Sequence, residues 1–173
     1  MIKKNKEDYL VSISKLKDIM FTFQFNKMPD LKYFSKNPYT YIKGRYYMYP
    51  ALILVYILLR TRITPNSVTI VYALSGLLTG ILLSIPNFYC NLIAVFIAFN
   101  KGILDWSDGH LARIKYETSL TGHLLDEYGA GVNIIGFYIG IGFFVMHQTG
   151  YHFLVYLIPV SYTHLTLPTN REV

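Results

Sequence analysis

The residues able to do chemistry are gathered in two short stretches, LDWSDGHLAR and GHLLDEYGA, which carry Asp105, Asp108 and Asp126. Asp105, Asp108, Gly109, Ala112 and Arg113 fall at i, i+3, i+4, i+7 and i+8, which places them on one face of a helix. Gly122, Asp126 and Ala130 repeat the pattern at i, i+4 and i+8. A helical hairpin joined through IKYETSLT brings the two faces together, so three carboxylates converge. Carboxylates at close range repel one another unless a cation neutralises them. Hard oxygen ligands without cysteine or paired histidine suit Mg²⁺ or Mn²⁺ rather than Zn²⁺. Such ions commonly hold phosphates, and the Arg113 guanidinium offers a fork for phosphate. Gly109 and Ala112 leave room beside it for a bulky ligand.

The elements that must position these residues are apolar. The chain is 53% hydrophobic and 16% aromatic, with a mean hydropathy of +0.33, too apolar for an ordinary soluble domain. No charged side chain occurs between Arg62 and Lys101, a length sufficient for two membrane spans of about 17 to 25 residues each. The first is expected at Val68 to Ile85 and the second from Tyr89 to Leu104, which delivers the chain to Asp105. A third apolar run, Gly131 to Met146, continues from the helix holding Asp126, and a fourth starts at Tyr151. Tyr46 to Leu59 is apolar but tyrosine-rich and short, and reads as an interfacial helix. Ser75, Gly76, Thr79 and Gly80 are small enough to let helices approach closely in lipid.

Charge orients the spans. Ten Lys and Arg between Lys3 and Arg45 face four acids, which accounts for the whole net charge of +6. With Arg60, Arg62, Lys101, Arg113 and Lys115 they predict that the N-terminus and the acidic motif are cytoplasmic. The opposite loops carry no Lys or Arg. The leader points to anionic headgroups; its FTFQFNKM segment suits a short strand or an amphipathic piece. No nucleic-acid module is recognisable, so nucleic acid is set aside as a partner. Cys90 is the only cysteine, which excludes an internal disulfide and a cysteine-based zinc site. His110 is expected to face away from the acids, Trp106 to anchor at the interface, and Lys101 to reach a phosphate or to snorkel.

DWSDGHLAR, followed after eight residues by GHLLD, resembles the signature of the CDP-alcohol phosphatidyltransferases, D-x2-D-G-x2-A-R-x8-G-x3-D-x3-D. Asp105, Asp108, Gly109, Ala112, Arg113, Gly122 and Asp126 match at the family's spacing. ITPNSVT, Ile63 to Thr69, looks like the family's entry into its first membrane helix. The resemblance covers roughly Tyr46 to Pro159. It implies an all-α integral membrane protein, a polytopic bundle with a six-helix family fold of which three to four spans are present here. It also implies displacement of CMP from a CDP-linked lipid by an alcohol in phospholipid biosynthesis, with Mg²⁺ or Mn²⁺. By position Asp105, Asp108 and Asp126 are then metal ligands, while Gly109, Ala112, Arg113 and Gly122 shape the nucleotide site.

The last signature aspartate is Ala130 in this chain, and a methyl group neither ligates metal nor activates a hydroxyl. Glu127 lies about 100° round the helix from Asp126 and is a poor replacement. His123, at i−3 from Asp126, is the candidate surrogate base, and Asn133, at i+7, the candidate neutral ligand; packing or helix–helix hydrogen bonding is the competing role of both. Ala130 fits a variant enzyme with a displaced base, a subfamily with altered chemistry, or a degenerate relative that binds a CDP-linked ligand or metal without turnover.

Three segments are expected: a basic cytosolic leader at 1–45, the membrane domain at 46–159, and a tail at 160–173. VSYTHLTLPTNREV resembles translated sequencing adapter and is expected to be non-native. The expected partners are a CDP-linked lipid, an alcohol acceptor and membrane lipids, with a homodimer among the assemblies allowed.

Overall fold

The computed structural model describes residues 12–25 and 38–150. They form five helices, with no strand among them: α1 Ile13–Phe25, α2 Pro38–Leu58, α3 Pro65–Ser84, α4 Phe88–Lys115 and α5 Leu120–Thr149. The last three are long and apolar enough to cross a membrane. The described residues are thus all-helical, with the helices of a polytopic membrane protein. The fourth run expected from Tyr151, and the adapter-like tail, lie outside the described residues.

Local sequence sets the helix boundaries. Side-chain oxygens accept from the first-turn amides at four N-termini: Ser12 from Lys15 at 3.4 Å, Thr64 from Ser67 at 3.3 Å, Asn87 from Tyr89 at 2.9 Å, and Ser119 from Gly122 at 3.0 Å. Pro38 and Pro65 each occupy the first helical position, where a missing N–H costs nothing. The Thr64 cap and Pro65 start α3 earlier than the apolar run alone predicts. Likewise α2 begins at Pro38, inside the expected leader, and FTFQF is the end of a helix rather than a strand.

The second span does not stop at Leu104. It continues as one helix through the acidic motif to Lys115, because nothing in DWSDGHLARIK breaks a helix. Its end is a Schellman turn: the Glu117 amide donates to the Ala112 carbonyl at 2.9 Å and the Tyr116 amide to that of Arg113 at 3.3 Å. Tyr116 takes the left-handed position, φ 57°, that glycine usually fills.

The described residues divide between two compact units, one within Met1–Ile70 and Gly102–Asp126, the other within Val71–Lys101 and Glu127–Val173. The first has a core of bulky side chains. Leu16 and Met20 of α1, Met48, Leu52 and Val55 of α2, Val68 of α3, and Leu111 and Ile114 of α4 are all buried together. Withdrawing such a side chain from water contributes about 1.5–3 kcal/mol, whereas against lipid the gain is that of packing.

The second unit is packed through small residues. A Cβ on Gly76 would collide with the Asn133 backbone, one on Gly80 with the Gly136 carbonyl, and one on Gly140 with the Gly80 backbone. The backbones of α3 and α5 therefore touch, which only hydrogen-sized side chains permit. Asn133 is fully buried in this seam. Its Nδ2 donates to the Tyr72 carbonyl at 2.7 Å and to Ser75 Oγ at 3.2 Å, while its Oδ1 accepts from Lys101 Nζ at 2.7 Å.

Candidate functional site

The site lies wholly within the first unit. α3 contributes Pro65, Asn66 and Thr69; α4 contributes Asp108, Gly109, Ala112 and Arg113; the short connection brings Glu117, Thr118 and Ser119; and α5 adds Gly122, His123 and Asp126. Together they line a pocket of about 170 Å³. The helix-face argument explains the contributions of α4 and α5, since residues three and four apart share a face. The Schellman turn at Tyr116 and the Ser119 cap reverse the chain within a few residues, so the two faces meet.

Asp108 is the most deeply held of the acids, with 4% of its surface exposed. A buried carboxylate needs hydrogen-bond partners. Thr69 Oγ1 donates to its Oδ2 at 2.7 Å, a charge-assisted bond from the first turns of α3. The negative charges of Asp126 and Asp105 both bear on it. Lys115 Nζ donates to the Ile63 carbonyl at 2.6 Å and fastens the lead-in of α3 to the end of α4.

The two glycines of the site differ. At Gly122 a Cβ would lie 3.2 Å from Ser119 Oγ and 3.3 Å from Asn66 Oδ1, tight against the cap and the α3 wall. At Gly109 a Cβ would meet only Arg113, at ordinary contact distance. Gly109 thus keeps space for a ligand rather than for the fold. Arg113 is exposed, and its guanidinium makes no hydrogen bond or ion pair among the described residues.

Six of the seven signature positions line the pocket, and His123 joins them. Asp105 is half-buried and does not line it. Asn133 is elsewhere, with its amide engaged by Lys101, Tyr72 and Ser75 in the second unit. Lys101, expected to reach a phosphate or snorkel, instead bonds Asn133 and lies over the Phe137 ring at 5.5 Å. Glu127 is exposed and outside the pocket lining. His110 is 2% exposed and also outside it, as its place on the helix predicts. Asn66, Thr69 and the Glu117–Ser119 connection were not anticipated as site residues. The available signals were the family-like segment ITPNSVT that holds Asn66 and Thr69, and their i, i+3 spacing at the start of α3.

Among the described residues no three of His, Cys, Asp and Glu are gathered closely enough to hold an ion. The donor chemistry nevertheless fits a hard divalent cation. Asp108 and Asp126 present carboxylate oxygens to a pocket with no thiol and a single imidazole, and Glu117 adds a further carboxylate at its rim.

Compared with known families, residues 62–167 match that described as CDP-alcohol phosphatidyltransferase, more than half of the chain. The match starts after α2 and runs past Pro159 into the adapter-like stretch. No curated protein matches the chain.

Proposed function

The chain belongs to the CDP-alcohol phosphatidyltransferase family, and we propose that it transfers a phosphatidyl-type group from a CDP-linked lipid to an alcohol hydroxyl with release of CMP. Membership and the three apolar helices make it a membrane-integral transferase of phospholipid synthesis. The observation that carries the finer reading is the single pocket shared by Asp108, Gly109, Ala112, Arg113, Gly122 and Asp126.

In this reading the acceptor oxygen attacks the lipid-bearing phosphorus. The P–O bond to CMP breaks, and CMP leaves with the electron pair. Arg113, with its donors uncommitted, binds the diphosphate and counters the charge that grows on the leaving phosphate. Gly109 and Ala112 admit the nucleotide, and Gly122 keeps the α5 backbone close beside it. His123, on the pocket wall one turn before Asp126, accepts the acceptor proton in place of the carboxylate missing at Ala130. Asp105, Asp108 and Asp126 would hold Mg²⁺ or Mn²⁺, which when bound draws charge from the phosphates and lowers the barrier to attack. Thr69 keeps Asp108 oriented for that role. Asn133, with its amide committed to Lys101 and Tyr72, serves helix packing ahead of ligation.

We place the N-terminus and the pocket on the cytoplasmic side, with α2 at headgroup level. Ile42, Tyr46, Tyr49, Ile53 and Ile57 form an exposed apolar stripe along α2, spaced as one helix face. Lys43 and Arg45 flank it at one end and Arg60 and Arg62 at the other, with Arg60 stacked 3.5 Å over the Tyr56 ring. That combination suits insertion beside anionic lipid headgroups.

The test is CMP release from a CDP-lipid by the protein in lipid vesicles, with Mn²⁺ or Mg²⁺ and a panel of alcohols. Turnover that Asp108→Ala abolishes supports the reading; none above that control overturns it. His123→Ala should remove the activity, and an unchanged rate would take the proton acceptor elsewhere. Ala130 favours one competing reading, a relative that binds a CDP-linked ligand without turnover. In that case CDP-lipid binding persists without CMP release, and Ala130→Asp restores it.

A further inference from the structure

Asp105 is the signature carboxylate that does not line the pocket, and Tyr47, a residue on which its charge bears, belongs to a helix outside the family match. Tyr47 of α2 lays its ring against α4 at Gly102. A Cβ built on Gly102 would stand 2.8 Å from the Tyr47 Cε2 and Cζ atoms and 3.0 Å from Cε1. It is therefore the hydroxyl-bearing end of the ring that occupies the gap left by the missing side chain. On a helix the neighbours of position 102 on that face are 105 and 106. The Trp106 ring is indeed near, its centroid 6.2 Å from that of Tyr47 at an interplanar angle of 52°. The phenol thus lies in a notch at Gly102 with Trp106 beside it, on the helix face where spacing also puts Asp105. Electrostatics agrees with this placement. Burial pushes the Tyr47 phenol up from its ordinary range, and Tyr46, Tyr39 and the Asp105 carboxylate add to the rise.

We propose that Tyr47 is a positioning residue for Asp105: seated in the Gly102 notch, it fixes the orientation of the first signature carboxylate and makes α2 a working part of the site. The inference rests on the reading of Asp105 as a metal ligand. A phenol O–H is a donor to a carboxylate oxygen, and that bond leaves the second oxygen for an ion. Gly102 is then required for a reason distinct from helix packing, since any Cβ there lifts the ring away. A chain with Ala130 in place of the fourth carboxylate has the more need of a well-held Asp105.

The experiment measures Mn²⁺ binding to the protein in lipid nanodiscs, from the electron paramagnetic resonance signal of free Mn²⁺. It is paired with the Mn²⁺ concentration giving half-maximal CMP release. Tyr47→Phe, which keeps the ring and loses the hydroxyl, should raise both about 10-fold, the lower end of what loss of a group supporting a metal ligand does. The rate at saturating Mn²⁺ should stay within about twofold. Gly102→Ala should reproduce the shift, and adding Tyr47→Phe to it should change little more. A metal-free double-mutant cycle of Tyr47→Phe with Asp105→Asn, read by thermal unfolding, should be non-additive. Additive unfolding, or Mn²⁺ binding by Tyr47→Phe equal to that of the parent, overturns the proposal and leaves the proposed function standing. Absence of Asp108-dependent Mn²⁺ binding in the parent instead overturns the metal reading, and the role of Tyr47 falls with it.

Discussion

The two units solve the problem of holding helices together in opposite ways. Around the site, Leu, Met and Val side chains interlock and keep the helix backbones apart. In the other unit the α3 and α5 backbones meet at glycines, and Asn133 of α5 bonds Tyr72 and Ser75 of α3 as well as Lys101 of α4. The pocket lies in the first unit, lined by small and polar residues beside that bulky core. Close backbone contact in the second unit defines the separation of the helices to within a methyl group. The lesson is a division of labour: the unit with adjustable packing carries the ligand pocket, and the unit with unyielding packing sets a fixed helix separation.

Substitutions can break or sharpen this contrast, and the largest effect is expected at the pocket. Asp108→Ala should lower CMP release on the order of 10²–10³-fold, the loss typical of a preorganised electrostatic group. The midpoint of unfolding in bicelles should move little, because packing around the site does not depend on the carboxylate. A large loss of stability would instead make Asp108 part of the scaffold.

Next comes the seam. Gly80→Ala drives a methyl into the Gly136 carbonyl and should destabilise the protein by about 1–3 kcal/mol, as overpacking does. The matched exchange in the first unit, Leu52→Met, conserves volume and should cost less than about 1.5 kcal/mol. Should Gly80→Ala prove the milder of the two in the same unfolding assay, the contrast between the units fails. The smallest change is a gain. Tyr116→Gly relieves a left-handed residue at the α4 terminus and should stabilise by up to about 1 kcal/mol, since glycine removes a cost of ~1–2 kcal/mol but carries its own entropy penalty.

Much of the site was legible because its chemistry fixes residue type and spacing together. Asp108, Arg113 and Asp126 sit where helical periodicity puts them, and the hairpin between them follows from capping residues visible in the sequence. Asp105 shows the limit of that reasoning: a shared helix face does not say which of its members faces the pocket and which faces α2. Thr69 was hidden because its role depends on a partner 39 positions away. The bond between Lys101 and Asn133 was hidden for the same reason, since both looked like residues directed at the site. The starts of α1 and α2 were unreadable in a different sense. Their mixture of lysine and aromatic residues has no single period, and the buried positions Leu16, Met20 and Met48 become visible only once the helices face each other.

The hydrogen bond from Thr69 to Asp108 also has an order in time. At a synthesis rate of about 5–20 residues per second, Thr69 leaves the ribosome ~2–8 s before the carboxylate it serves. The donor wall of the pocket is therefore made first, and the acidic end of α4 is delivered to a hydroxyl already waiting for it. A chain truncated after Lys115 and released into bicelles should accordingly shield Asp108 from carbodiimide labelling better than its Thr69→Val counterpart, and equal labelling would show that the pairing waits for α5.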